Sequence, residues 1–119
     1  MRVSAAEFRQ QVAKPSKYRN QPITLDGIRF QSKAEARYYS QLKLREKAGE
    51  VYGVELQKPF VITINGILIC TYRCDFSFYD HKEDRVRVID VKGFSTPVFK
   101  LKAKMVKAQY GVTIEVIKA

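Results

Sequence analysis

The chain has 119 residues, 45% of them hydrophobic, with 22 Lys+Arg against 12 Asp+Glu and a formal net charge of +10. That hydrophobic content suffices for a buried core, which argues against intrinsic disorder. No run approaches the ~20 apolar residues of a membrane span, and no basic, apolar and small-residue series marks a secretion signal, so a cytoplasmic protein is expected.

In chain order, Ser4-Ala5-Ala6-Glu7 has the spacing of a capping box and predicts a short helix from Ser4 to Ala13. Residues 1–16 are expected as a helical extension and residues 17–119 as one domain. A basic linker, Lys14 to Asn20, follows. Strands Ile23 to Leu25 and Ile28 to Phe30 flank Asp26-Gly27, a hairpin-turn pair. Ser32-Lys33-Ala34-Glu35 is a second capping box, and the helix it opens is expected to reach Ala48, with Gly49 as its stop. Val51 to Leu56 and Pro59 to Ile64 read as strands. Asn65-Gly66 turns the chain into one long strand, Ile67 to Tyr79, and a polar turn leads to a further strand, Arg85 to Lys92. Thr96-Pro97 opens a helix that ends at Tyr110 before Gly111, and Val112 to Ile117 makes the last strand. The expected architecture is α/β: a helical extension, then α-β-β-β-α-β, forming a mixed sheet with helices on its faces.

The charge is uneven. Residues 1–47 carry a net +7, residues 48–93 a net −1 and residues 94–119 a net +4. Basic flanks around a carboxylate-bearing middle suit a polyanion, although lysines also simply solubilise small domains. Cys70 and Cys74 lie four apart in a strand, too far for a disulfide, and His81 is the sole histidine. Reduced, buried thiols and a solvent-exposed histidine in a polar turn are expected.

Strand alternation places Val86, Val88, Asp90 and Lys92 on one face of the strand Arg85 to Lys92. An apolar row thus ends in an aspartate and a lysine. Asp75 occupies the preceding strand with Thr71, Arg73 and Ser77 on its face, and approaches Asp90 if the two strands are neighbours. On the first helix of the domain, Glu35, Tyr38, Tyr39 and Leu42 follow i, i+3, i+4, i+7 spacing, so Glu35 joins the stripe that faces the sheet. Two aspartates, a glutamate and a lysine around a hard cation such as Mg²⁺ suit phosphodiester hydrolysis: oxygen ligands hold the ion, and an ammonium group stabilises developing charge. Each residue also has a plainer role. Glu35 completes a capping box, Asp75 caps a turn, and Asp90 with Lys92 forms an edge ion pair. On the second helix Lys100, Lys104 and Lys107 share one stripe, with Val98, Leu101, Met105 and Ala108 as the opposing apolar stripe. The lysines suit DNA phosphates, or a merely solvated helix face.

Several stretches resemble the PD-(D/E)XK nuclease superfamily, and within it the small phage-encoded endonucleases grouped with Holliday-junction resolvases. They are Phe30-Gln31-Ser32-Lys33-Ala34-Glu35-Ala36-Arg37-Tyr38-Tyr39, Gln57-Lys58-Pro59-Phe60, Tyr72-Arg73-Cys74-Asp75-Phe76 and Val88-Ile89-Asp90-Val91-Lys92-Gly93. The resemblance runs from about Lys17 to Ile117. It implies a restriction-endonuclease-like core and cleavage of branched DNA, as in phage recombination within a bacterial cytoplasm. It also implies Mg²⁺ or Mn²⁺ on Asp75, Asp90 and the Val91 carbonyl, with Glu35 assisting and Lys92 orienting the attacking water. Cys74 stands where the motif's name has proline, and Gln57 matches a recurrent glutamine of related nucleases without an assigned role. DNA contacts are expected from Lys100, Lys104 and Lys107, from Lys17 and Arg19 in the linker, and from Lys33 and Arg37 at the start of the helix. A two-fold dimer would supply the two active sites a junction needs. Other readings are the same fold acting on flaps, single strands, nicks or a specific sequence, or a non-catalytic DNA-binding protein.

Overall fold

A computed structural model describes residues 22–119. The expected helix Ser4 to Ala13, the boundary at residue 16, and Lys17 and Arg19 lie outside these residues. The described residues divide into two compact units, residues 22–36 and residues 37–119.

In the first unit, β1 (Ile23–Leu25) and β2 (Ile28–Phe30) pair antiparallel. Asp26 and Gly27 both take positive φ, 54° and 75°, as a two-residue hairpin turn of matching twist requires. The helix α1 (Lys33–Lys47) starts here and continues into the second unit.

The second unit is built on a four-stranded mixed sheet of order β3-β6-β7-β8, comprising Val51–Leu56, Phe76–Asp80, Arg85–Lys92 and Ile114–Lys118. β3, β6 and β7 run antiparallel, and β8 is parallel to β7. A parallel neighbour requires a crossover, and α2 (Pro97–Tyr110) provides it. Thr96 caps α2, its hydroxyl accepting the Phe99 N–H at 3.0 Å, and Gly111 closes the helix at φ 71°. A separate two-stranded sheet, β4 (Pro59–Ile64) with β5 (Ile67–Arg73), is inserted between β3 and β6.

The expected long strand from Ile67 to Tyr79 is two strands. The chain leaves the hairpin sheet at Arg73 and enters the main sheet at Phe76, and Cys74 and Asp75 are the crossing point. Continuous β-propensity hides this break, because both halves are equally strand-like and only the change of partner separates them.

Alternation along β7 divides two apolar layers. Val88 packs with Cys74, Val106 and Ile114, and with Phe60, Ile62 and Tyr72 from the hairpin. On the opposite face Phe76 meets Tyr38 and Tyr39 of α1, with ring centroids 5.3 and 6.5 Å apart. Leu42 is buried on the same helical stripe, as its spacing implies. Each fully buried aromatic or aliphatic side chain of this kind contributes about 1.5–3 kcal/mol. The face of α2 differs from expectation. Its buried residue is Val106, flanked by partly buried Phe99 and Ala103, whereas Val98 and Leu101 are exposed. Apolar residues lie on two sides of the helix, Val98, Leu101, Met105 and Ala108 on one and Phe99, Ala103 and Val106 on the other, and the side with the phenylalanine is the one that packs, with Met105 partly buried beside it. Gln109 and Tyr110 then anchor the hairpin, both donating to the Val61 carbonyl, at 2.9 and 2.6 Å.

Beneath α1, Asp80 is 1% exposed and is gripped by Arg45 and Arg87, each at 3.0 Å. Arg87 also binds Glu115 of β8 at 2.7 Å. Burial would raise the Asp80 carboxyl, but the two guanidinium groups and the N–H groups of Lys82 and Glu83 outweigh it and hold it well below the usual carboxylate range. A depressed native pKa means stability that is complete above the unfolded value of 3.8 and lost as pH falls through the native one. We expect Asp80→Asn to cost about 3 kcal/mol at neutral pH, since it strands two arginines. In urea melts, the gap between variant and wild type should narrow as pH is lowered below about 4. A gap independent of pH would remove the carboxylate from this account.

Candidate active site

The cleft that collects Asp75, Asp90 and Lys92 lies wholly in the second unit. It has a volume of about 350 Å³, and Asp75, Asp90, Lys92, Arg73, Thr96 and Lys102 are among the residues that line it.

Asp75 is placed by the crossing between sheets. Its N–H donates to the Ile89 carbonyl at 3.0 Å, and the ladder pairs Phe76 with that same Ile89. Two successive residues thus address one partner in the manner of a β-bulge, a device that re-aims a side chain. The Asp75 carboxylate turns toward the end of β7, where Oδ2 accepts the Val91 N–H at 2.8 Å. An extended residue directs its N–H and C=O toward the same neighbour, so the Val91 carbonyl also faces the Asp75 side. The Lys92 carbonyl, one residue on, accepts the Ala119 N–H at the β8 side.

Asp90 is buried at 5% exposure, and two donors hold its oxygens. The Tyr72 hydroxyl donates to Oδ2. Lys92 Nζ lies 3.1 Å from Oδ1, the i, i+2 contact expected of two residues on one strand face. The same ammonium sits 4.2 Å from the centroid of the Phe99 ring. Burial, followed by the bond to Asp90, raises the Tyr72 phenol far above its ordinary value, so it remains a donor throughout the accessible pH range. Burial likewise pushes the Cys74 thiol up to about 11, which leaves it protonated at neutral pH and a poor nucleophile or metal ligand. Cys74 is fully buried and Cys70 partly so, both as free thiols. His81 is exposed in its turn, with its ring 4.9 Å from that of Tyr52.

Glu35 belongs to the first unit, where it completes the capping box. Its N–H donates to Ser32 Oγ at 3.1 Å, and its Oε1 accepts the Gln31 N–H at 3.1 Å, so the return bond falls one residue upstream of the cap. Among the described residues, no group of three or more His, Cys, Asp or Glu side chains is gathered for a metal ion. What the second unit brings together is a pair, Asp75 and Asp90, with the Val91 carbonyl. This all-oxygen donor set suits a hard divalent cation that completes its shell with water.

Lys100, Lys104 and Lys107 are exposed on α2, as are Lys33 and Arg37 on α1. The helix lysine that enters the cleft is instead Lys102, which the spacing of the other three did not suggest. It lies one turn beyond Phe99, on the flank of the packed stripe, and an aromatic-first reading of α2 would have found it. Tyr72 and Arg73 carried no comparable signal, because their role follows from where β5 ends.

No helix among the described residues is long and apolar enough to cross a membrane. The chain belongs to a family described as "Protein of unknown function (DUF1064)", whose profile matches residues 15–118. No curated protein and no solved structure gives a significant match.

The bond between Tyr72 and Asp90 is testable without reference to function. In a double-mutant cycle of Tyr72→Phe with Asp90→Ala, followed by denaturant unfolding, we expect a coupling of about 1.5–3 kcal/mol, typical of a buried bond to a charged group. Additive losses would show that the hydroxyl does not hold the carboxylate.

Proposed function

We propose that this protein is a metal-dependent endodeoxyribonuclease of the PD-(D/E)XK type, acting on branched DNA. The observation that carries the reading is the single cleft in which Asp75 and Asp90, from the ends of adjacent strands, meet Lys92 two residues beyond Asp90. Supporting it, the elements run α1-β3-β6-β7-α2-β8 once the β4–β5 hairpin is set aside, the order α-β-β-β-α-β of a restriction-endonuclease-like core.

In this reading Asp75, Asp90 and the Val91 carbonyl hold Mg²⁺ or Mn²⁺, which when bound offsets carboxylate repulsion and lowers the pKa of water. The chain's own residues do the positioning. Tyr72 and the Val91 N–H fix the two carboxylates. Lys92, released from Asp90 or shared with it, donates to a water or a phosphoryl oxygen. Arg73 and Lys102 give the cleft lining three cations to its two anions, a balance that accepts a phosphodiester. Lys100, Lys104 and Lys107 extend that positive surface along α2 for contacts with the backbone of the strand. A symmetric cut through a junction would draw on two such clefts, as a two-fold pair of copies provides.

The test is a cleavage panel of four-way junction, flap, single strand and linear duplex, each with Mg²⁺, Mn²⁺ or chelator. We expect cutting of branched DNA that chelation abolishes. Asp90→Asn should lower it by at least about a thousandfold while leaving DNA binding intact or tighter, since a charge facing phosphate is removed. Binding without cleavage of any substrate would leave a non-catalytic DNA-binding protein. In salt titrations of DNA affinity, replacing Lys100, Lys104 and Lys107 with alanine should reduce the logarithmic slope by up to about 3. An unchanged slope would take that helix face away from the phosphates.

A further inference from the structure

The segment between β7 and α2, Gly93-Phe94-Ser95-Thr96, joins two residues of the cleft wall, Lys92 and Thr96. Phe94 is midway between them, with its Cα within about 7 Å of each by chain length alone. Phe94 does not itself line the cleft, but the loop that carries it begins and ends on residues that do. Phe94 is 74% exposed, the most exposed large hydrophobic side chain among the described residues. Val98, 62% exposed, lines the same cleft, and Leu101, also exposed, follows it one turn along α2. An apolar edge thus begins where the cationic cleft opens.

A continuous duplex presents sugar, phosphate and base edges, but its base faces are covered by their neighbours, so a ring reaches one only at the cost of unstacking a step. An unpaired nucleotide presents both a phosphate and a bare π-face. The first matches Lys92, Arg73 and Lys102, and the second matches the exposed phenyl ring on the loop that joins Lys92 to Thr96.

We infer that the β7–α2 loop carries a base-stacking site: Phe94, with Val98 beside the cleft, holds an unpaired nucleobase of a DNA strand whose phosphate lies among Lys92, Arg73 and Lys102. The inference rests on the nuclease reading of the cleft and names its substrate class. That class is DNA offering an unpaired or unstacked nucleotide next to the phosphodiester, as at a fork, flap or junction centre, rather than uninterrupted duplex.

The experiment uses the full chain and measures binding of two DNAs in chelator: a continuous duplex, and the same duplex ending in a single-stranded fork. The chain contains no tryptophan, so Phe94→Trp introduces a lone fluorescent reporter at the proposed stacking position. Wild type should bind the forked DNA more tightly. Phe94→Ala should lose about 5- to 150-fold in affinity for the fork and change duplex affinity less than twofold. Phe94→Trp should restore fork binding, and its emission should be quenched by the fork and not by the duplex. Equal losses on both DNAs, no loss on either, or an unquenched tryptophan would overturn the stacking site. Because binding is read without metal, the two readings fail separately. If fork-selective effects persist while no DNA is cut with Mg²⁺ or Mn²⁺, the hydrolase reading falls and the stacking site stands. If cleavage occurs and Phe94→Ala alters neither affinity nor substrate preference, the stacking site falls and the hydrolase reading stands.

Discussion

Two aspartates at the ends of neighbouring strands, one of them almost wholly dry, repel each other and lose hydration together. Such a pair persists only where donors are aimed at it. Here the donors come from three directions: the Val91 N–H to Asp75, the Tyr72 hydroxyl and the Lys92 ammonium to Asp90. Each depends on a larger feature. Tyr72 is delivered by the inserted hairpin, the Val91 N–H is free to serve Asp75 because β6 starts only at Phe76, and Lys92 is steadied over Phe99 by the capped first turn of α2. The placement of β4–β5, the break at Cys74–Asp75 and the crossover helix therefore bear on one local electrostatic arrangement.

Much of this was legible in the residues. Thr96-Pro97 and Gly111 bound α2 where the structure does, and Asp26-Gly27 and Asn65-Gly66 make the turns their chemistry demands. The α1 stripe of Tyr39 and Leu42 is buried as its spacing implies. Asp90 and Lys92 meet because period-2 geometry leaves them no alternative. What was not legible depended on partners distant in sequence. The split of the long strand reflects a change of pairing from β4 to β3 and β7, which leaves no mark in local composition. The packed stripe of α2 was ambiguous because apolar residues lie on two of its sides, and tertiary context chose Phe99, Ala103 and Val106.

The second polar cluster went unread for the same reason. Asp80 lies in a segment that looks like an ordinary turn, Asp80 to Asp84, and Arg87 in an alternating strand where an arginine signals solvent. Arg45, Arg87 and Glu115 converge on and around Asp80 only when α1, β6, β7 and β8 assemble, so no spacing rule could announce them. The network has the signature of architecture rather than chemistry: its members are mutually satisfied, and its carboxylates are driven toward permanent ionisation by their arginines.

Both clusters are written into a single strand, in alternating letters. Along β7, Arg87 and Ile89 serve the layer under α1, whereas Val88, Asp90 and Lys92 serve the layer under α2 and the cleft. Sliding this strand by one position would exchange the two sets, carrying arginine into the greasy layer and an isoleucine into the cleft. Evolution therefore has little room to retune the centre by shifting backbone. Changes that alter the centre without rewriting this strand are confined to its surroundings, the exposed loop before α2 first among them.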